Sequence, residues 1–106
     1  MRHDSLRLAE NVWLNVLSPE TLDEAHTGLL AFESISDTMG MSFKPCPVLH
    51  TFGMKFPMDV LWLGDDGELL AYDEMVGPEN IVVPKTAWGI EVMGGWVRRN
   101  LMGKGR

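Results

Sequence analysis

The amino-acid sequence predicts an α+β fold: a mainly antiparallel, curled, barrel-like β-sheet with one helix in the N-terminal half and a short helix near the C-terminus. Three observations lead there. Short apolar runs are separated by Gly and Pro along most of the chain, which is the spacing of strands rather than of long helices. One run, 58–63, is followed by Asp65-Asp66-Gly67 and a second run, and Asp-Gly supplies the positive φ angles that tight hairpins need. Ser18-Pro19-Glu20 is the one place where helix-start chemistry stands in order.

Taken in chain order, residues 11–17 alternate, with Val12, Leu14 and Val16 on one face and Trp13, Asn15 and Leu17 on the other, as a strand requires. At the helix start Ser18 can accept a bond from an orphan amide, Pro19 lacks the N–H that would go unpaired, and Glu20 suits the positive helix end. The helix is expected to run to His26 or Thr27, with Gly28 at its end and Leu22 with Ala25 or His26 facing the core. Residues 28–40 read as a loop with a short turn. Residues 41–44 form a short strand ended by Pro45-Cys46-Pro47, whose prolines force an extended path. Residues 48–54 read as a strand with Val48, His50, Phe52 and Met54 on one side. Residues 58–63 are apolar on both faces apart from Asp59 and so form a central strand. Residues 69–75 return antiparallel to it. Residues 81–83 and 88–93 are further strands, and residues 96–102 supply one or two helical turns.

A chain of 106 residues with 45% hydrophobic side chains and four tryptophans suits one domain over residues 1–106 and excludes disorder. The net charge of −6 argues against a nucleic-acid partner, because affinity there comes from cations neutralising phosphates. Arg2, Arg7, Arg98, Arg99, Lys104 and Arg106 cluster at the termini and read as solvated tails. A lone Cys46 can form no internal disulfide, no apolar run reaches the roughly 20 residues of a membrane span, and residues 1–10 have no continuous apolar stretch of a leader. The expectation is a cytoplasmic protein with no membrane insertion.

The stretch Cys46-Pro47-Val48-Leu49-His50-Thr51-Phe52-Gly53-Met54-Lys55-Phe56-Pro57-Met58-Asp59, running on into Val60-Leu61-Trp62-Leu63, resembles the centre of the domain-of-unknown-function family 192. Gly28-Leu29-Leu30, Gly40-Met41 and Ile90-Glu91-Val92 before Gly94 or Gly95 agree with it in order and spacing. The resemblance covers about residues 11–103. It implies a compact β-rich domain with short helices, and it imports no function. Family members often finish with a Gly-Asp pair, whereas this chain reads Gly103-Lys104-Gly105.

The polar residues of that motif are the candidate site. Cys46, His50 and Met54 are the ligand types of a blue-copper centre, but four residues of strand span about 13 Å, so one metal cannot bridge Cys46 and His50. No metal and no cofactor are expected. Cys46 and His50 could also be nucleophile and base, with Asp59 or Asp73 to orient the imidazole, and the same distance stands against them. Other readings are structural: Met54 and Cys46 as core filler, His50 as a core histidine, a surface pair of Lys55 with Asp59, Glu91 on the solvent face of an edge strand, and Trp62, Trp88 and Trp96 as core. The resulting expectation is a small binding module that holds a small ligand or a peptide near residues 48–59 through Cys46, His50, Met54, Lys55 and Asp59. Two alternatives stay open: a small enzyme using His50 with Cys46 or Asp59, and a protein–protein adaptor.

Overall fold

Alternating and doubly apolar runs set the strands: β1 (Arg2–Ala9), β2 (Val12–Ser18), β3 (Met39–Phe43), β4 (Leu49–His50), β5 (Met58–Leu63), β6 (Leu69–Val76), β7 (Ile81–Val82) and β8 (Trp88–Met93). A six-residue helix, α1 (Leu22–Thr27), passes directly into a 3-10 turn over Gly28–Ala31, and a π-type turn spans Arg98–Met102. The computed structural model describes residues 1–102, apart from the side chains of His26, Ala31 and Met102. The terminal Gly103-Lys104-Gly105 segment lies outside the described residues.

Six strands make one sheet in the order β1-β2-β3-β8-β5-β6, and β4 pairs with β7 in a separate two-stranded ribbon. The sheet is β-rich as expected but differs from a curled antiparallel barrel in two ways. It is mixed, because β2 and β3 run parallel. It is also open, because β1 and β6 stand at opposite edges and do not pair. Parallel neighbours cannot be joined by a tight turn. The connection over residues 19–38, which contains α1, is long enough to carry the chain back to the starting end of the sheet.

β5 and β8 occupy the middle, paired in register from Met58↔Met93 to Leu63↔Trp88. Both faces of the sheet are covered. Met41, Phe43, Met58, Val60 and Trp62 point to one core, beneath Leu29, Met54 and Phe56. Leu14, Val16, Leu61, Ile90 and Val92 point to the other, against Trp96 and Val97. The buried Trp62 and Trp96 therefore lie on opposite faces of the sheet, and each has a partner for its ring N–H: Trp62 donates to Asp73 at 2.7 Å and Trp96 to the Asp37 carbonyl at 2.8 Å.

Several elements differ from the sequence expectation. Residues 1–10, unassigned from sequence, form β1. The helix starts one turn later than Ser18-Pro19-Glu20, because the Thr21 hydroxyl accepts from the Glu24 amide at 3.1 Å, while the Glu24 carboxylate reaches back to the Glu20 amide at 2.9 Å. Leu22, expected in the core, is 78% exposed. Residues 48–54 are not one strand: only Leu49 and His50 pair, and the chain then turns through Phe52-Gly53, where Gly53 takes φ +83°. His50 is consequently exposed rather than a core histidine, and it packs against the Phe52 ring at 5.8 Å between centroids.

Candidate ligand pocket

Two arms of chain close over one face of the sheet and leave a recess between them. The first arm is α1 with its 3-10 turn. Gly28 ends the helix at φ +46° and its N–H donates to the Glu24 carbonyl, so the chain can fold down toward the sheet. The second arm is 47–54, held in place by Thr51, whose hydroxyl accepts from the Asn80 amide at 2.8 Å and donates to the Gly77 carbonyl at 2.7 Å. The enclosed volume is about 350 Å³, within the range of small-molecule sites. Leu22, Ala25, Leu29 and Leu30 line it from the first arm, Val48, Leu49, His50 and Met54 from the second, and Phe43 and Glu91 from the sheet.

Glu91 is the unexpected member. Its strand, β8, is not an edge: Glu91 faces Met41 of β3 on one side and Val60 of β5 on the other. The residue is only 5% exposed, which corrects the expectation of a solvent-facing position. Among the described residues no donor bonds to its carboxyl, and burial pushes its pKa up to about 7. Gly28 lies beside it: a Cβ there would stand 4.0 Å from Glu91 Oε1. The sequence carried a signal for this. In Trp88–Met93 a carboxylate alternates with Gly89 and Met93 on one face while Ile90 and Val92 fill the other. A strand so apolar reads as covered on both sides, which makes its acid a buried one.

The five motif residues are not brought together. His50 and Met54 both line the recess, His50 at its exposed rim and Met54 buried in its wall. Cys46, Lys55 and Asp59 are not among the residues lining it. Cys46 lies against Gly89 and Trp62, its amide donating to the Ala87 carbonyl at 2.7 Å. Burial, and then the negative charge of Glu91, push its thiol up to about 11 against a smaller opposite pull from Gly89. Lys55 pairs with Glu33 at 3.2 Å and not with Asp59. Asp59 is fully buried beside the second core. Its Oδ1 accepts from the amides of Met75 at 2.8 Å and Gly95 at 3.0 Å, and its Oδ2 from that of Val97 at 2.9 Å. A lone polar residue in a doubly apolar strand has to find such partners, and these are backbone groups from two distant segments.

Comparison with known proteins agrees with the fold. The crystal structure of a protein from Sinorhizobium meliloti 1021, described as a candidate transcription regulator, superposes with a TM-score of 0.72 at 21% identity, covering 90% of this chain and 81% of that one. A protein of unknown function from Novosphingobium aromaticivorans DSM 12444 gives 0.70 at 20% identity, covering 90% and 74%. At these identities the likeness is one of fold. No curated protein matches the chain. The family model DUF192, described as "Uncharacterized ACR", matches residues 6–106, nearly the whole length. The chain belongs to the DUF192 family.

Proposed function

We propose that the protein is a small binding module whose ligand enters the recess between the α1 arm and the 47–54 arm. The observation that carries this reading is the pairing of apolar walls with a buried carboxyl at the floor that has no hydrogen-bond partner among the described residues. Apolar lining with a few convergent polar groups is the ordinary composition of a small-molecule site. An acid held there without a donor would be costly in a recess with no other purpose. His50 and Met54 belong to this site, whereas Cys46, Lys55 and Asp59 act outside it.

The enzyme alternative draws less support. The Asp59 oxygens are taken up by backbone amides, and a thiol pushed up to about 11 supplies little thiolate at neutral pH. Alkylation of Cys46 that stays slow until well above pH 9 is the expected result, and rapid alkylation below pH 7 would return the enzyme reading to favour. The adaptor reading is supported by the exposed side chains of Val48, Phe52 and Ile81. A nucleic-acid role finds little support in the terminal arginines, because Arg99 is bound bidentately by Asp37, Arg98 stands 3.5 Å from Glu74, and Arg2 bonds Asp4 at 2.9 Å. The single cysteine and the balance of charge fit a cytoplasmic module.

The test is a screen of small apolar molecules by backbone amide NMR on wild type and His50→Gln. Shifts gathered on residues 22–30, 47–54 and 91, weakened in the variant, are expected. A ligand at 100 times its dissociation constant should also add about 2.7 kcal/mol of stability. Shifts confined to the exposed rim would favour the adaptor, and shifts elsewhere would move the site.

A further inference from the structure

We infer that the recess selects small molecules with an apolar body and one cationic amino group, which Glu91 receives at the floor. This rests on the binding reading above and adds the chemical class of the ligand. Four observations lead to it. Glu91 is 95% buried yet still borders the recess. No donor among the described residues bonds to it, so both oxygens keep their full acceptor capacity. Gly28 stands beside the carboxyl, where an added Cβ would lie 4.0 Å from Oε1. The walls above are aliphatic and aromatic, which suits a hydrocarbon body rather than a sugar or a phosphate. An ammonium group supplies charge and donors together, and charge-assisted hydrogen bonds are roughly twice as strong as neutral ones. The net charge of −6 also favours the approach of a cation.

The surroundings of Glu91 leave few groups to compete for that role. β3 presents Met41 and Phe43, β5 presents Val60, and the α1 arm presents Leu22, Ala25, Leu29 and Leu30. Among the described residues the titratable neighbours are Cys46, a thiol that stays protonated at neutral pH, and His50, which sits exposed at the rim. Binding an ammonium requires the ionised carboxyl, so at pH 6 the proton on Glu91 leaves for the buffer as the amine enters. At pH 8 little proton remains to be released.

The experiment titrates n-hexylamine, n-hexanol and hexanoate into wild type, Glu91→Gln and His50→Gln at pH 6 and pH 8, reading amide shifts and, by calorimetry in two buffers, proton release. With Glu91 near 7, n-hexylamine should bind wild type about tenfold more tightly at pH 8 than at pH 6, and should release close to one proton per site at pH 6. Glu91→Gln should lose both effects and bind the amine about tenfold more weakly at pH 8, while n-hexanol binds as in wild type. His50→Gln should retain the proton release, which separates Glu91 from the rim histidine. Equal amine binding by Glu91→Gln, or a preference of wild type for n-hexanol at pH 8, overturns the amine class and leaves the pocket standing. Absence of shifts at the recess with all three probes overturns the pocket and the amine class together. Should Glu91→Gln not fold, the proton release and pH profile of wild type decide the matter alone.

Discussion

Asp59 and Glu91 are two carboxylates buried in adjacent strands, and their surroundings give them opposite parts. Asp59 is satisfied by three backbone amides and ties the end of β6 to the turn that follows β8. Asp59→Asn puts a donor where one of those amides must point, so a loss of about 1–3 kcal/mol is expected from urea unfolding. Glu91 has no such partners among the described residues, and its folded-state pKa near 7 lies above its ordinary value of 4.5. The folded protein therefore binds that proton more tightly than the unfolded chain does. Stability falls as pH rises from about 4.5 to about 7, and the full cost, roughly 3 kcal/mol, is present above that window. Glu91→Gln removes the cost. Thermal unfolding should find the variant more stable than wild type at pH 8 and nearly equal to it at pH 4.5. An unchanged pH slope in the variant would show that another group is responsible.

At the scale of elements, Gly28 shows how backbone conformation and site are joined. It ends α1 at φ +46° and ψ −131°, a region that side chains avoid, and it stands beside the Glu91 carboxyl. In Gly28→Ala the new Cβ would meet its neighbours at ordinary contact distances of 3.9–4.0 Å, so the cost is conformational, about 1–3 kcal/mol. Denaturant unfolding measures that loss, and weaker ligand binding should accompany it. Runs whose local pattern and tertiary setting agree were legible from sequence. The 58–63 and 88–93 strands lie at β5 and β8, and the Asp65-Asp66-Gly67 turn joins β5 to β6 antiparallel. Where two local signals compete, the outcome depends on contacts that periodicity does not carry. Ser18-Pro19-Glu20 is a sound helix start, but Ser18 is the last residue of β2 and Thr21 has Glu24 three residues ahead of it. Residues 48–54 alternate like a strand, yet Thr51 is drawn to Gly77 and Asn80 and the chain turns there. The recess was half legible: His50 and Met54 come from the motif, while Glu91 was marked only by the apolar run around it, which an edge-strand reading passes over.

Across the whole molecule, stability should grade outward from the middle of the sheet. Val60 and Leu61 of β5 and Ile90 and Val92 of β8 have no exposed surface, whereas β1 is mostly exposed and pairs on one side only. Hydrogen exchange should find the slowest amides in β5 and β8 and the fastest strand amides in β1. Equal protection in β1 would mean that its free edge is covered in solution. The mixed, open sheet was not legible because strand order is a property of distant pairs. The 19–38 connection is long enough for either a crossover or a wide antiparallel return, and nothing local distinguishes them. Strand order also has a temporal meaning. In the sheet, the strands β1, β2 and β3 and the pair β5 and β6 are joined only by pairing with β8, the latest of the described strands in chain order. Until Trp88–Met93 docks, the β1–β3 and β5–β6 groups have no strand pairing between them. Slow, all-or-none completion, with a need for protection from association until then, follows from placing the final strand at the centre.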